Sequence, residues 1–261
     1  MRLHATLTGT ASQTSDGERP DIVLLHGLFG AGRNLGVIAR GLGATHRVLA
    51  LDARNHGDSP HAPDMRYTTM AADVAETMTA HGIRRAAVIG HSMGGKTAMT
   101  LALTAPDRVA RLAVLDIAPV AYPEHYLDHI DAMRRLKLTP DLTRATADAA
   151  LAAAVPDAAL RGFFLHNLVL GATPHWRLDL DAIARALPDL VGWTDPAPGV
   201  TYRGPTLFIG GATSSYLPAA YHEAVRARFP QAAIDTIAGT GHWLHAEKPA
   251  EVIARLVKFL A

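Results

Sequence analysis

Short apolar runs alternate with longer stretches of helical spacing through the first half of the chain. Residues 2–8 read as an edge strand, and Asp21–Leu25 (DIVLL), 46–51 (HRVLAL), 86–89 (AAVI) and 112–115 (LAVL) read as further strands. Their nearly unbroken apolar character implies burial on both faces. Between them, residues 70–80 and Met93–Thr104 have helical composition, the second stopped at Ala105-Pro106 because proline restricts the residue before it and cannot continue a helix. The alternation predicts an α/β fold, a mostly parallel sheet flanked by helices.

The rhythm then changes. From about residue 119 to 203 the chain is helical in pattern and alanine-rich, without a convincing strand, and Pro140, Pro156, Pro174 and Pro188 divide it into several short helices. Its most biased stretch, 145–159, keeps enough amphipathicity for a helix. A strand at 206–209 (TLFI), a helix over 219–228 ending before Phe229-Pro230, a strand at 233–237 and an amphipathic helix at Pro249–Leu260 complete the chain. The predicted organisation is one core, residues 1–118 and 205–261, with a helical lid, 119–204, inserted in it.

Composition narrows the function classes. Of 261 residues, 49% are hydrophobic and 19% charged, as in a folded globular protein. Lys and Arg number 25 against 24 Asp and Glu, so no global field draws the chain to nucleic acid or an anionic membrane. The absence of cysteine removes disulfides, thiolate metal sites and a thiol nucleophile. Neither a secretory signal pattern nor an apolar run of membrane-spanning length is present, which predicts a cytoplasmic protein with no membrane span.

The strand AAVI runs into Gly90-His91-Ser92-Met93-Gly94, which opens a helix. This is G-x-S-x-G in the context of strand, tight turn and helix. Glycines two before and two after the serine let strand and helix pass without Cβ clashes, and the turn pushes the serine oxygen out at the top of the sheet.

A serine hydroxyl is a weak nucleophile and needs a base, normally a histidine held by a carboxylate. On such scaffolds the order is serine, acid, histidine. His242 lies in the glycine-rich loop Gly239-Thr240-Gly241-His242 after the last strand and is the expected base; its rival His245 reads as a loop residue packing near Glu247. The acid usually follows the strand after the insertion, but Gly210-Gly211-Ala212-Thr213-Ser214-Ser215-Tyr216 contains no carboxylate. Asp116, at the carboxyl edge of the strand before the insertion, is the candidate instead. Ser214 occupies the usual acid's place and has an expected auxiliary role.

An oxyanion hole requires two backbone N–H donors. Met93, following the nucleophile, supplies one, and Leu28 in the turn His26-Gly27-Leu28-Phe29-Gly30 the other. His26 is expected to hold that turn. Residues 52–59 (DARNHGDS) read as a structured turn, with Arg54 as an alternative contact for an anionic substrate group.

The segments HGLFG, DARNHGDS, GHSMGG and GHWLHAEKP stand in the order found in the α/β-hydrolase superfamily, which the chain resembles over nearly its full length. RNHG, GHSMGGK, LDIAP and HAEKP resemble the YbfF-type esterases and their mitochondrial relatives, a branch that takes its acid from the strand before the lid. The resemblance puts the triad on Ser92, Asp116 and His242 and supports Ser214 as auxiliary. It implies hydrolysis of a small-molecule acyl ester or thioester through an acyl-enzyme, without cofactor or metal. Phe29, Phe163, Trp176, Tyr216 and Trp243 are candidate substrate-binding residues, with Phe164, Leu165 and Met93 as further apolar wall.

Other chemistries share this geometry: C–C bond hydrolysis, a menaquinone-type lyase reaction, perhydrolysis, and, in a different class, ligand binding without catalysis. Arg134, Arg135 and Lys137 read as a solvated helix face, with acyl-CoA phosphates as the alternative contact. Nothing in the pattern specifies an oligomeric state.

Overall fold

The computed structural model describes residues 1–10, 13–14, 17–123 and 126–261. In chain order the strands are β1 (Ala5–Thr8), β2 (Gln13–Thr14), β3 (Gly17–Glu18), β4 (Asp21–Leu25), β5 (Val48–Leu51), β6 (Ala86–His91), β7 (Val109–Leu115), β8 (Leu168–Val169), β9 (His175–Trp176), β10 (Thr206–Gly211) and β11 (Ala232–Ile237). The helices are α1 (Gly36–Gly43), α2 (Tyr67–Ala80), α3 (Met93–Thr104), α4 (Leu127–Arg135), α5 (Arg144–Leu151), α6 (Ala158–Leu165), α7 (Leu180–Val191), α8 (His222–Arg228), α9 (Leu244–Glu247) and α10 (Pro249–Leu260).

Seven strands form the main sheet in the order β1-β5-β4-β6-β7-β10-β11; β1 pairs antiparallel with β5 and the remaining pairs are parallel. One apolar cluster on the sheet joins Val23, Val88 and Val114 to Val74, Met99 and Phe229; a second joins Ile22, Ile89 and Leu115 to Ile38, Val252 and Leu256. Such buried aliphatic side chains contribute about 1.5–3 kcal/mol each. The register pairs Leu25 with Gly90, His91 with Leu115 and Leu115 with Ile209. The loops leaving β4, β6, β7 and β10 therefore emerge side by side at one edge, which brings His26-Gly27-Leu28, Ser92, Asp116 and Ser214 together from distant parts of the chain.

Residues between β7 and β10 form the helical insertion. Ile130, Met133, Phe164, Ile183, Leu187 and Leu190 from it share an apolar cluster with Phe29, Met70 and Met93 of the core. The expected single helix over 145–159 is two helices, α5 and α6, interrupted around Pro156; the Asp157 side chain caps α6 by accepting the N–H groups of Ala159 and Leu160. Pro188, expected to end a helix, lies inside α7. An interior proline costs about 3 kcal/mol or more, but α7 buries Leu180, Ile183, Leu187 and Leu190 at about 1.5–3 kcal/mol each, so packing wins. The insertion also contains the β8–β9 pair, matching Leu168 with Trp176 and Val169 with His175, where no strand was expected.

Elsewhere the predicted strand at 2–8 is observed from Ala5, and the helix expected from residue 70 begins at Tyr67. Among the described residues no helix is long and apolar enough to cross a membrane.

Candidate active site

The turn after β6 holds Ser92 at φ 52°, ψ −118°, a strained conformation for a residue with a Cβ. A Cβ on Gly90 would sit 2.1 Å from the Gly94 carbonyl oxygen, and one on Gly94 would sit 2.3 Å from the Leu25 carbonyl oxygen. The glycine spacing is thus a requirement of this turn. Phe29, Asn55 and Asp116 are the other non-glycine residues with positive φ among those described, and all four lie in the loops that leave β4, β5, β6 and β7 at this edge.

The residues expected as nucleophile, base and acid form one hydrogen-bonded chain. His242 Nε2 lies 3.1 Å from Ser92 Oγ, and His242 Nδ1 lies 2.7 Å from Asp116 Oδ2. Asp116 is fully buried, and a buried carboxylate is costly unless its oxygens are paired. Its Oδ1 accepts the Gly211 N–H at 2.9 Å, and its Oδ2 also accepts the Ser214 hydroxyl. The Tyr216 N–H in turn donates to Ser214 Oγ at 3.1 Å, ordering the loop that lacks a carboxylate. The Tyr216 ring stacks on His242 with centroids 3.9 Å apart and planes inclined by 26°.

Buried neutral histidines frame the loops. His26 donates from Nδ1 to the Gly27 carbonyl at 2.7 Å and accepts the Ala53 N–H at Nε2 at 2.9 Å, so it ties the turn after β4 to the turn after β5. His56 accepts the Phe29 N–H at Nε2 and donates from Nδ1 to the Arg54 carbonyl. Burial pushes His26 below its ordinary pKa and His56 down to about 3, which fits the hydrogen-accepting role of each Nε2.

His91, the residue before the nucleophile, donates from Nε2 to the backbone carbonyl of His242 at 2.8 Å. It therefore links the elbow directly to the loop of the expected base. Burial, and next the neighbouring His245, holds His91 well below the usual imidazole range. His245 differs from expectation: it is buried in α9 with its ring 4.3 Å from His91, and burial lowers it to about 4. Glu247 instead accepts the Gly241 N–H at 2.8 Å.

A cavity of about 210 Å³ opens at Ser92 and His242, bordered by Leu28, Phe29, Phe163, Tyr216 and Trp243 among others. Phe164 also borders it, while Leu165 is buried in a cluster between insertion helices. Trp176 does not border it: its indole N–H donates to the Met133 carbonyl at 3.1 Å and its ring packs within the insertion, a better location for a large apolar ring tied by one polar atom. Met93 borders a second, smaller cavity.

Arg54 is buried and bidentate with Asp73, at 2.6 and 2.8 Å, so it braces the turn. Arg134 pairs with Asp131 and Asp181, while Arg135 and Lys137 border a separate groove between α4 and α5. Among the described residues, one grouping has metal-ligand spacing, His4, Asp52 and Asp58; Asp52 there already accepts the Gly32 and Asp58 N–H groups.

Three residues at the site had no assigned place in the sequence pattern. Tyr126 precedes α4 and hydrogen-bonds Tyr216 hydroxyl to hydroxyl at 2.8 Å. Asn167 donates from Nδ2 to the Phe29 carbonyl at 2.7 Å, and Lys96 is buried in α3. Only Lys96 left a signal, the one charged residue of α3, one turn after Ser92.

Parallel sheet, elbow and hydrogen-bonded chain at the carboxyl edge define the class. The chain belongs to the alpha/beta hydrolase fold family, whose pattern matches residues 20–249. It is 42% identical over 255 residues to the sn-1-specific diacylglycerol lipase ABHD11 of Mus musculus, covering 94% of this chain and 82% of that protein. It is 41% identical to the esterase YbfF of Escherichia coli K12, covering 92% of each. A solved marine microorganism esterase superposes with a TM-score of 0.92 at 32% identity, over 99% of both chains. The chain thus falls in the YbfF-type branch.

Proposed function

We propose that this protein is a serine hydrolase of carboxylic esters, acting through Ser92, His242 and Asp116, with acyl thioesters as a further substrate class. The observation that carries the reading is the unbroken chain from Ser92 Oγ through His242 to a buried, fully paired Asp116 beneath an apolar cavity. His242 takes the Ser92 proton as Oγ bonds to the acyl carbon, and the resulting oxyanion faces the N–H groups of Leu28 and Met93. The C–O bond to the alcohol then breaks, with the proton passing from His242 to the leaving oxygen. Water, deprotonated by the same histidine, attacks the acyl-enzyme and releases the acid. Asp116 keeps the Nδ1 proton on His242 and stabilises the imidazolium, while Ser214 holds the carboxylate in place. Residues 119–204 act as the lid and supply Phe163 to the pocket wall.

The relatives named as esterase and lipase support this class of reaction. The reading places the enzyme in the cytoplasm with small-molecule partners and no nucleic acid. Ser92→Ala should lose all turnover and all labelling by a fluorophosphonate while its circular dichroism spectrum is unchanged. A panel of p-nitrophenyl esters and acyl-CoA thioesters separates the two substrate classes. Labelling elsewhere than Ser92, or full activity in the variant, would refute the proposal.

A further inference from the structure

Two cavities meet at Ser92, and they differ in size and lining. The larger, about 210 Å³, is bordered by His242, Trp243, Phe163, Leu160 and Phe29. The smaller, about 30 Å³, is bordered by Met93, Lys96, Ile117, Leu190 and Val191, and His242 is not part of its wall. Leu28, Ser92, Tyr126 and Tyr216 belong to both. The Tyr126 and Tyr216 hydroxyls, bonded at 2.8 Å, bring insertion and core together on that shared border.

Acyl transfer assigns these spaces. The proton on His242 must reach the leaving oxygen, so the alcohol departs on the His242 side. With the carbonyl oxygen facing the Leu28 and Met93 N–H groups, the remaining substituent of the acyl carbon points away from His242, toward Met93 and Leu190. We infer that the larger cavity takes the leaving alcohol and the smaller one the acyl chain, so that the enzyme selects esters of short acids with bulky apolar alcohols. The inference rests on the esterase reading above.

A water-sized group needs about 10–15 Å³, so the smaller cavity of about 30 Å³ admits roughly two to three such groups beyond the carbonyl carbon, an acyl chain of up to about four carbons. Its far end is tied down. Lys96 Nζ donates to the carbonyls of Val191 and Gly192 at 2.9 and 2.5 Å, the Tyr67 hydroxyl donates to that of Leu190 at 2.6 Å, and the Tyr122 N–H donates to that of Val191 at 2.9 Å. The end of α7 cannot retreat from a longer chain without breaking these bonds, and Leu190 sets the limit.

The test compares kcat/KM across two ester series on the full chain. At constant p-nitrophenol, the value should fall at least about 100-fold from butyrate to octanoate, since each methylene that does not fit costs about tenfold or more. At constant acetate, ethyl to octyl alcohol should change it by less than about tenfold. Leu190→Ala, or Leu190→Val if the first does not fold, should raise the octanoate-to-butyrate ratio about tenfold; general damage to the fold lowers both substrates and leaves the ratio unchanged. Octanoate hydrolysed as well as butyrate, or acetates that fail as the alcohol lengthens, overturns the assignment of the cavities alone. No hydrolysis of any ester together with no fluorophosphonate labelling of Ser92 overturns the esterase reading as well.

Discussion

Asp116 is the residue on which the site's electrostatics turn. It sits at φ 51° after β7, fully buried, and accepts hydrogen bonds from His242, Gly211 and Ser214. Asp116→Asn keeps the shape but can present its amide N–H₂ to His242, which favours the wrong imidazole tautomer. It is expected to lower kcat by about 10⁴, measured on p-nitrophenyl butyrate with the melting temperature as the check on folding. Ser214→Ala removes one hydrogen bond to a charged group, about 1.5–3 kcal/mol. Its expected effect is a smaller loss of kcat with KM little changed; an unaltered kcat would remove Ser214 from the auxiliary role. Asp116 was legible as the candidate partner of His242 because the segment over 210–216 has no carboxylate, and the structure places its Oδ2 2.7 Å from His242 Nδ1. His91 and Tyr126 were not, since their partners, the His242 carbonyl and the Tyr216 hydroxyl, lie far along the chain.

At the scale of elements, the end of α7 is where the insertion is fastened to the core. The last carbonyls of a helix lack intrahelical partners and carry the negative end of its dipole. Lys96 from α3 places its ammonium there, with the Tyr122 ring 4.9 Å away. Burial lowers Lys96 to about 7, which shows how far the site disfavours the charge that these two carbonyls attract. Lys96→Met should leave α3 folded but raise hydrogen exchange at the amides of residues 189–193 about tenfold or more, a loss of about 1.4 kcal/mol or more of local stability. Unchanged exchange there would mean that packing of Ile183, Leu187 and Leu190 alone fixes α7. The sequence pattern marked Pro188 as a break because it carries local propensity only; the burial that outweighs it comes from the core.

For the whole molecule, the buried histidines make folding sensitive to acid. His26, His56, His91 and His245 are each held below 6.5 in the folded protein, His245 at about 4 and His56 at about 3. Between those values and 6.5 the unfolded chain binds more protons than the folded one, so stability rises with pH across this window. It is complete above about pH 6.5 and is lost as pH falls toward 4 and below. At about 1.4 kcal/mol per pH unit, His245 alone accounts for on the order of 3 kcal/mol of the stability lost across the whole window. Melting temperatures from pH 7 to pH 4 should therefore fall steeply, and His245→Gln should flatten the fall; parallel curves for the two proteins would contradict this.

The local sequence determined what depends on near neighbours and periodicity. Apolar runs marked the strands, and the glycines flanking Ser92 marked a turn that tolerates no Cβ at Gly90 or Gly94. Even the unusual place of the carboxylate followed from a short segment without one. Tertiary structure decided what depends on register and on contacts across the chain. Pairing of Leu25 with Gly90, His91 with Leu115 and Leu115 with Ile209 brings the four loops to one edge. Packing sends Trp176 into the insertion and His245 against His91. The smaller cavity at Ser92 likewise exists only with the end of α7 in place, because Leu190 and Val191 wall it together with Met93 and Lys96, residues whose separation along the chain carries no information about their distance in space.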